Sequence, residues 1–447
     1  MGKYFGTDGI RGRVNEALTP EMAYQLGRAA ASVLAEGSAR QRPLLLIGKD
    51  TRISGSMLES ALAAGFAASG CDVLLLGVLP TPAVAAMTRI LQADAAAMIS
   101  ASHNPYYDNG IKFFNEQGFK LPDEVENRIE ALIDQPEMIH PALDGDIGVI
   151  RPYEGAAKEY AQWVLSKVRP DLTGLTIVVD CANGAISPIA EEVFTHLGAK
   201  AIMLAHEPDG CNINANCGST HMEALQRRVV AERADLGLAF DGDADRLLAV
   251  DEQGQLVDGD QIIAIIAAWL KEKGNLTTNR VVVTVMTNMG FRLAMEKLDI
   301  QVEETKVGDR YVLERMQNTG AVIGGEQSGH IILSTMNSTG DGLMSALQLL
   351  TVICDRKQPL SQLAKVMVRL PQVLVNVRVK DKQGLEQHAE IQAEKDRIEQ
   401  ILAGRGRLLL RPSGTEPMIR VMAEGDDIEE LKQLVDCMAG LIEAKLS

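Results

Sequence analysis

Four stretches of the chain carry residue types spaced for chemistry. The first is Ser100-Ala101-Ser102-His103-Asn104-Pro105, followed closely by Asn109-Gly110 and Lys112. It comes after the apolar run 95–99, which reads as a strand. Asn-Pro and Asn-Gly are turn signals, so Ser100, Ser102 and His103 are expected on a loop at the end of a buried strand. Open α/β sheets place their chemistry at such ends. A lone Ser-x-Ser more often bonds its own backbone, but three further stretches weigh against that here.

The second stretch is Asp241-Gly242-Asp243-Ala244-Asp245-Arg246, a tight loop between the strand-like runs 236–240 and 247–250. Three carboxylates at alternate positions repel one another unless a cation gathers them. Gly242 and Ala244 leave the chain room to wrap, and hard oxygen ligands favour Mg²⁺ or Ca²⁺. An EF-hand is excluded, because Arg246 stands where that loop needs glycine. The third stretch, Gly324-Gly325-Glu326-Gln327-Ser328-Gly329-His330, alternates Glu326, Ser328 and His330 among glycines, a pattern suited to several hydroxyls. In the fourth, Arg411-Pro412-Ser413-Gly414-Thr415-Glu416-Pro417 with Arg420 beyond, Ser413, Thr415 and the amides around Gly414 can ring an anion. Arg411 and Arg420 can grip that anion bidentately. The glycine-rich opening, residues 6–12, reads as a further loop with Arg11 as its cation.

A nucleophilic serine, a divalent metal, a hydroxyl-reading loop and a phosphate clamp point to phosphoryl transfer on a phosphosugar. No nucleotide-binding motif is complete anywhere. Phosphate stored on the serine, its charge neutralised by metal, would serve in place of ATP.

The elements that must position these loops repeat. A helix over 18–34, with Thr19 as N-cap and Pro20 at its first position, leads in. Strand 44–47, polar turn 48–52, helix 56–68, Gly70 and strand 73–76 then make one βαβ unit. The pattern recurs over 175–180, 188–197, Gly198 and 201–204, and again from 280–285 through a helix ending at Leu298 to a strand near Val302. Three copies at domain-sized intervals mean three related domains. Residues 136–152, rich in Pro, Gly and Asp, lead out of the first. Residues 255–260 lead into a helix over 261–271. After about residue 370 come strand 373–379, a helical stretch over 386–402, strands 408–411 and 419–423, and a helix over 427–446. The expected fold class is α/β with four domains around a central cleft: 1–153, 154–254, 255–369 and 370–447. The first three are related α/β domains with mixed sheets, and the last is a smaller α+β domain.

The 447 residues, 46% hydrophobic and 23% charged, suit a globular protein with several cores. A net charge of −16 argues against nucleic acid or an anionic membrane as partner. A small anionic substrate fits if the cations gather in one cleft, and a homodimer is compatible with the sequence. The six cysteines include no Cys-x-x-Cys, which suits reduced thiols in a cytoplasmic protein. The first residues, Met1 to Asp8, show no apolar run of the kind a secretory signal needs, so none is expected. The longest apolar run, 262–270, is too short to cross a bilayer.

Taken as a set, Ser100 to Pro105, Asp241 to Arg246, Gly325 to His330 and Arg411 to Pro417 resemble the motifs of the α-D-phosphohexomutases, in order and across essentially the whole chain. The opening Gly6-Thr7-Asp8-Gly9-Ile10-Arg11-Gly12 and the Glu326-Gln327-Ser328 form of the sugar loop resemble the bacterial glucosamine branch rather than the phosphomannomutase/phosphoglucomutase branch. The resemblance implies that Ser102 carries the phosphoryl group, and that Asp241, Asp243 and Asp245 hold one Mg²⁺ per chain with an oxygen of phosphorylated Ser102. It implies that Glu326 and Ser328, with His330, read the sugar. Arg411, Ser413, Gly414, Thr415 and Arg420 would bind the phosphate not being transferred. Arg11, Lys112 and His330 match positions near the reacting oxygens, and His103 and Arg246 join the candidate catalytic set. An arginine is a poor base because its pKa lies above ~12, so Arg11 is expected to polarise and Lys112 or His330 to move the proton. The implied isomerase reaction converts glucosamine 6-phosphate to glucosamine 1-phosphate through a 1,6-bisphosphate that also activates the enzyme, and its product feeds UDP-N-acetylglucosamine. A serine-dependent sugar phosphatase and a non-catalytic phosphosugar sensor are the alternatives from other classes.

Overall fold

The helix Pro20–Leu34 begins where its cap predicts: Thr19 is extended and its hydroxyl accepts from the Met22 amide at 3.2 Å. Its small-residue face lies against the helix Gly55–Ala68. Gly27 and Gly65 allow that close approach, since a Cβ on Gly65 would meet the Tyr24 carbonyl at 2.4 Å. The computed structural model describes the chain except Met1, Gly2, Thr7, residues 381–383, residues 413–416 and Ser447. Its contacts divide into two units, Met1–Met286 with Ile300–Val366, and Thr287–Asp299 with Met367–Ser447.

Among the described residues the strands form four sheets. The first contains β1 (Ile10–Arg13), β2 (Leu44–Lys49), β3 (Asp72–Val78), β4 (Ala95–Ile99), β5 (Asp108–Asn115) and β6 (Ile150–Pro152), in the order β1-β5-β4-β2-β3-β6. The second holds β7 (Thr176–Asp180), β8 (Lys200–Leu204), β9 (Leu236–Phe240), β10 (Leu247–Asp251) and β11 (Leu256–Val257), in the order β11-β10-β9-β7-β8. The third holds β12 (Arg280–Thr284), β13 (Gln301–Thr305), β14 (Ile323–Gly325) and β15 (Ile331–Leu333), in the order β13-β12-β14-β15. Each has the same plan: three parallel strands (β3-β2-β4, β8-β7-β9, β13-β12-β14) and then an antiparallel return (β5, β10, β15). The βαβ repeat read in the sequence is this parallel core. Helices cover both faces of the parallel strands, which is why β4 and β9 are buried along their whole length.

The second unit carries an antiparallel sheet, β16 (Gln372–Arg378), β17 (Arg407–Pro412) and β18 (Met418–Glu424), in the order β16-β18-β17. The helices Ala389–Leu402 and Ile428–Leu446 pack on it around Ile391, Ile398, Ile419, Val421, Met438 and Ile442. Each such fully buried aliphatic side chain contributes about 1.5–3 kcal/mol.

Several local expectations are corrected. Residues 10–13 are a strand rather than loop, and Asn109-Gly110 is no turn: β1 pairs antiparallel with β5, placing Arg11 opposite Gly110. Gly110 is there for close approach, since a Cβ would meet the Ser100 carbonyl at 2.6 Å. The stretch 386–402 breaks at His388 into Gly384–Gln387 and Ala389–Leu402, and the helix expected over 188–197 is Ala190–His196. The helix Thr81–Ile90, framed by Pro80 and Pro82, has no counterpart in the sequence reading. Residues 81–88 are all buried, and the two prolines at its start read as breakers in the sequence.

Candidate active site

The serine loop joins β4 to β5, the acidic loop joins β9 to β10, and the Glu326 to His330 loop joins β14 to β15. They are one turn used three times, each at the point where a parallel strand gives way to its antiparallel return. The second and third loops bond to each other, with Leu247 N donating to the Gly329 carbonyl at 3.0 Å.

Ser102 is 2% exposed and takes a left-handed backbone, φ 51°. Such a conformation costs on the order of 1 kcal/mol and persists only where neighbours enforce it. Here Arg52 enforces it. Its guanidinium is fully buried, holds Asp50 at 2.9 Å, and donates to the carbonyls of Ser102 (2.9 Å), Asn104 (2.9 Å) and Pro105 (2.5 Å). Asn214 adds amide donors to the Ser102 and Asn104 carbonyls at 2.9 and 3.1 Å. Ser100 is part of the same scaffold: its hydroxyl donates to Asp50 at 2.6 Å and accepts from the Ser102 amide at 2.9 Å. Its oxygen is thereby occupied, while Ser102 Oγ points elsewhere and donates to Asp241 Oδ2 at 2.6 Å.

Asp241, Asp243 and Asp245 are buried, and one carboxylate oxygen from each lies within 4.8 Å of the others. Asp243 Oδ2 accepts from Thr81 Oγ1 at 2.7 Å and Lys112 Nζ at 2.9 Å. Asp243 Oδ1 and Asp245 Oδ1 are buried with no hydrogen-bond partner among the described residues. Burial and then mutual repulsion push the Asp241 and Asp245 carboxyls above the usual range. Burial acts on Asp243 too, but Lys112 and Thr81 overcome it and hold that carboxyl low. Unpartnered hard oxygens converging from three buried carboxylates fit a divalent cation such as Mg²⁺.

Cations surround this group. Lys112 is 2% exposed and spans Asp243 and Asp8, the latter at 3.0 Å. Arg11 also binds Asp8. Arg246 Nε is buried 3.9 Å from Asp245 Oδ1 and has no hydrogen-bond partner among the described residues. His103 Nδ1 lies 3.3 Å from Ser102 Oγ, and burial, then Arg246 and Arg11, push its imidazole down to about 4. His330 is 3% exposed, and neither ring nitrogen has a hydrogen-bond partner among the described residues. Glu326 accepts from the Gly308 amide at 3.1 Å, and Ser328 Oγ is buried and unpartnered among the described residues. The fold of the first unit thus gathers Ser102, His103, Arg11, Lys112, Asp241, Asp243, Asp245 and Arg246, with His330 beside Asp245 at 3.8 Å.

In the second unit, Arg411 on β17 stands directly opposite Arg420 on β18. Burial and then Arg420 pull the Arg411 guanidinium down. Both Nε atoms are buried without a partner among the described residues. Like charges opposed across a ladder destabilise it unless an anion joins them. Ser413, Gly414 and Thr415, between these strands, lie outside the described residues.

Arg52, Asp50, Asn214 and Thr81 escaped the sequence reading, whereas Asp8 entered it within the glycine-rich opening motif. Residues 48–52 register there only as a polar turn. A sequence signal exists only for Asp50 and Arg52, an acid and a base two apart after a buried strand.

Four domain descriptions of the phosphoglucomutase/phosphomannomutase family match the chain: α/β/α domain I over residues 2–139, domain II over 158–254, domain III over 258–370 and the C-terminal domain over 374–441. A phosphoglucosamine mutase of Carboxydothermus hydrogenoformans is 56% identical over 444 residues, covering 99% of this chain and 100% of that protein. A phosphoglucomutase/phosphomannomutase family protein from Burkholderia thailandensis has the same fold, with TM-score 0.82 at 23% identity over 98% of this chain and 97% of that one. Aspergillus fumigatus N-acetylphosphoglucosamine mutase, solved with GlcNAc-6P and magnesium, matches with TM-score 0.68 at 17% identity over 100% of this chain and 96% of that one. Among the described residues no helix is long and apolar enough to cross a membrane.

Proposed function

The chain belongs to the phosphoglucomutase/phosphomannomutase family, and from that premise we propose that it interconverts glucosamine 6-phosphate and glucosamine 1-phosphate, the isomerase activity for which its full-length relatives are named. The observation that carries this reading is Ser102 Oγ at 2.6 Å from Asp241, inside a triplet of buried carboxylates with oxygens to spare.

Phosphorylated Ser102 is the donor. The sugar O1 attacks phosphorus, the P–O1 bond forms as the P–Oγ bond breaks, the sugar hydroxyl gives up its proton and Ser102 Oγ regains one. The product of this half-reaction is glucosamine 1,6-bisphosphate. It turns over and returns its 6-phosphate to Ser102 by the same exchange in reverse. Added bisphosphate activates the protein by recharging Ser102. One Mg²⁺ per chain, held by Asp241, Asp243, Asp245 and an oxygen of phosphorylated Ser102, would neutralise the charge of the group in transfer. His330, whose ring nitrogens make no hydrogen bond among the described residues, moves the sugar proton. Lys112, spent on Asp8 and Asp243, acts as a fixed cation, and Arg11, His103 and Arg246 line the path of the phosphoryl oxygens. Glu326 and Ser328 read sugar hydroxyls. Arg411 and Arg420, with Ser413, Gly414 and Thr415, hold the idle phosphate. On this reading the segments 1–153, 154–254, 255–369 and 370–447 supply one loop each, and the product feeds UDP-N-acetylglucosamine formation in the cytoplasm.

The test supplies glucosamine 6-phosphate, Mg²⁺ and a trace of the 1,6-bisphosphate, and measures glucosamine 1-phosphate and free phosphate together. Formation of the 1-phosphate without matching free phosphate is expected. Stoichiometric free phosphate would make the protein a phosphatase, and binding without turnover would make it a sensor. Faster turnover of glucose or mannose phosphates would move it to the other branch of the family.

A further inference from the structure

Lys120 follows β5 and bridges to Phe114 across that turn. Its ammonium bonds Asp8 Oδ1 on the N-terminal loop and, at 2.5 Å, Asp309 Oδ2 at the start of the helix Asp309–Thr319. Asp8 Oδ2 also takes Lys112 at 3.0 Å, and Lys112 takes Asp243 at 2.9 Å. On the other side Asp309 Oδ2 lies 3.5 Å from His330 Nε2, which lies 3.8 Å from Asp245. The side chains of Asp243, Lys112, Asp8, Lys120, Asp309, His330 and Asp245 therefore form a path that leaves the acidic loop and returns to it. It joins residues of the first and third sheets and their loops, and among the described residues Lys120 is its one link between Asp8 and Asp309.

We propose that Lys120 is a positioning residue for phosphoryl transfer, the cation that sets Arg11 and Lys112, through Asp8, and His330, through Asp309, in one frame. The inference rests on the mutase reading above. Two carboxylates, one on the N-terminal loop and one at a helix start, repel without the ammonium between them, so losing it lets the two segments relax away from each other. Asp8 then keeps Arg11 and Lys112, whereas Asp309 Oδ1 keeps the Arg310 amide at 2.8 Å and Oδ2, freed of the ammonium, is left with His330 and draws the ring toward itself. A displacement of this kind, about 1 Å, costs on the order of 100-fold in rate. A second pair, the Arg310 guanidinium with Asp123, joins the same helix to the helix Asp123–Asp134 at an exposed position; Arg310 meets the path only through its backbone amide on Asp309 Oδ1, which a change at Asp123 leaves in place. It supplies the control, since it bridges the same two regions without setting any candidate catalytic group.

The test compares Lys120→Met, Asp309→Asn, their double variant and Asp123→Asn with the unaltered protein, whose own mutase turnover is measured first. Absent turnover there overturns the functional reading and leaves this one without a reaction to position. Lys120→Met and Asp309→Asn are each expected to lower kcat by about 10- to 100-fold with KM changed less than about threefold, the signature of an interaction used in the transition state. The double variant should be no worse than the more damaged single one, because both break the same link. Asp123→Asn should retain kcat. Multiplied losses in the double variant, an unchanged kcat in either single one, or an equal loss in Asp123→Asn would overturn the proposal. If Lys120→Met fails to fold, Asp309→Asn, nearly isosteric, decides by its kcat and KM.

Discussion

In the first unit most of the groups that hold the transfer loops bond to one another: Arg52 on Asp50 and three carbonyls, Lys112 on Asp8 and Asp243, Ser102 on Asp241. In the second unit Arg411 and Arg420 face each other across a ladder, and both leave Nε without a partner among the described residues. The first arrangement is cross-bonded from within, with oxygens of the acidic triplet left over among the described residues, and is suited to holding atoms where charge develops. The second keeps its charge for a diffusible anion. A mutase needs both, because the transferring phosphate must be placed accurately while the idle one changes from a 6-phosphate to a 1-phosphate within a turnover.

Breaking the rigid side should cost most. Ser102→Ala should abolish mutase turnover with the circular dichroism spectrum intact. Near-normal activity would move the nucleophile elsewhere, which the engaged oxygen of Ser100 makes hard to accommodate. Chelation follows: EDTA should inactivate and Mg²⁺ restore, with Asp243→Asn weakening the rescue. Because the Asp241 and Asp245 carboxyls are raised, protons compete with the metal, and Mg²⁺ affinity should climb as pH rises. Calorimetric titration at several pH values checks this; a flat profile would contradict the assigned ligands.

Gly242→Ala probes rigidity without removing a functional group. A Cβ there would meet the Ser102 carbonyl at 2.5 Å, so the serine loop must shift. A fall in kcat of about 100-fold with bound Mg²⁺ retained is expected; unchanged turnover would show that the loop yields freely.

On the other side, Arg420→Ala should weaken glucosamine 6-phosphate and the 1,6-bisphosphate alike, by about 2–5 kcal/mol. Both directions should slow, the bisphosphate should escape, and added bisphosphate should partly restore the rate. Damage to one direction alone would mean that the two arginines do not serve both ends of the sugar.

The smallest effect sharpens the account of the partnered unit by showing that not every buried charge in it is balanced. Burial pushes the Glu126 carboxyl up to about 7, and Arg310, 3.9 Å away, offsets only part of that. A raised folded pKa means that ionisation costs stability, so its contribution is lost as pH rises from about 4.5 toward about 7. Glu126→Gln should flatten that slope and raise stability at pH 8 by on the order of 1–3 kcal/mol, read from urea unfolding. An unchanged slope would mean that Arg310 balances it after all.

Elements with strong local signals were legible in the sequence. Thr19 and Pro20 start their helix because capping involves only neighbouring residues, and the βαβ repeat shows because buried parallel strands are apolar throughout. The acidic triplet was legible because alternate carboxylates in a tight loop have few other uses. Asn109-Gly110 misled because a glycine required for close approach looks the same, in one dimension, as a glycine required for a turn. Only the tertiary structure separated Ser102 from Ser100. The two serines have the same type and neighbouring positions, and what distinguishes them is Asp50, Arg52 and Asn214, brought from outside the loop. The path through Lys120 was equally out of reach, since ion pairs across more than a hundred residues leave no spacing to read. Local chemistry is written in neighbouring residues; which oxygen is free and which charge is paired depends on the distant residues that folding brings alongside.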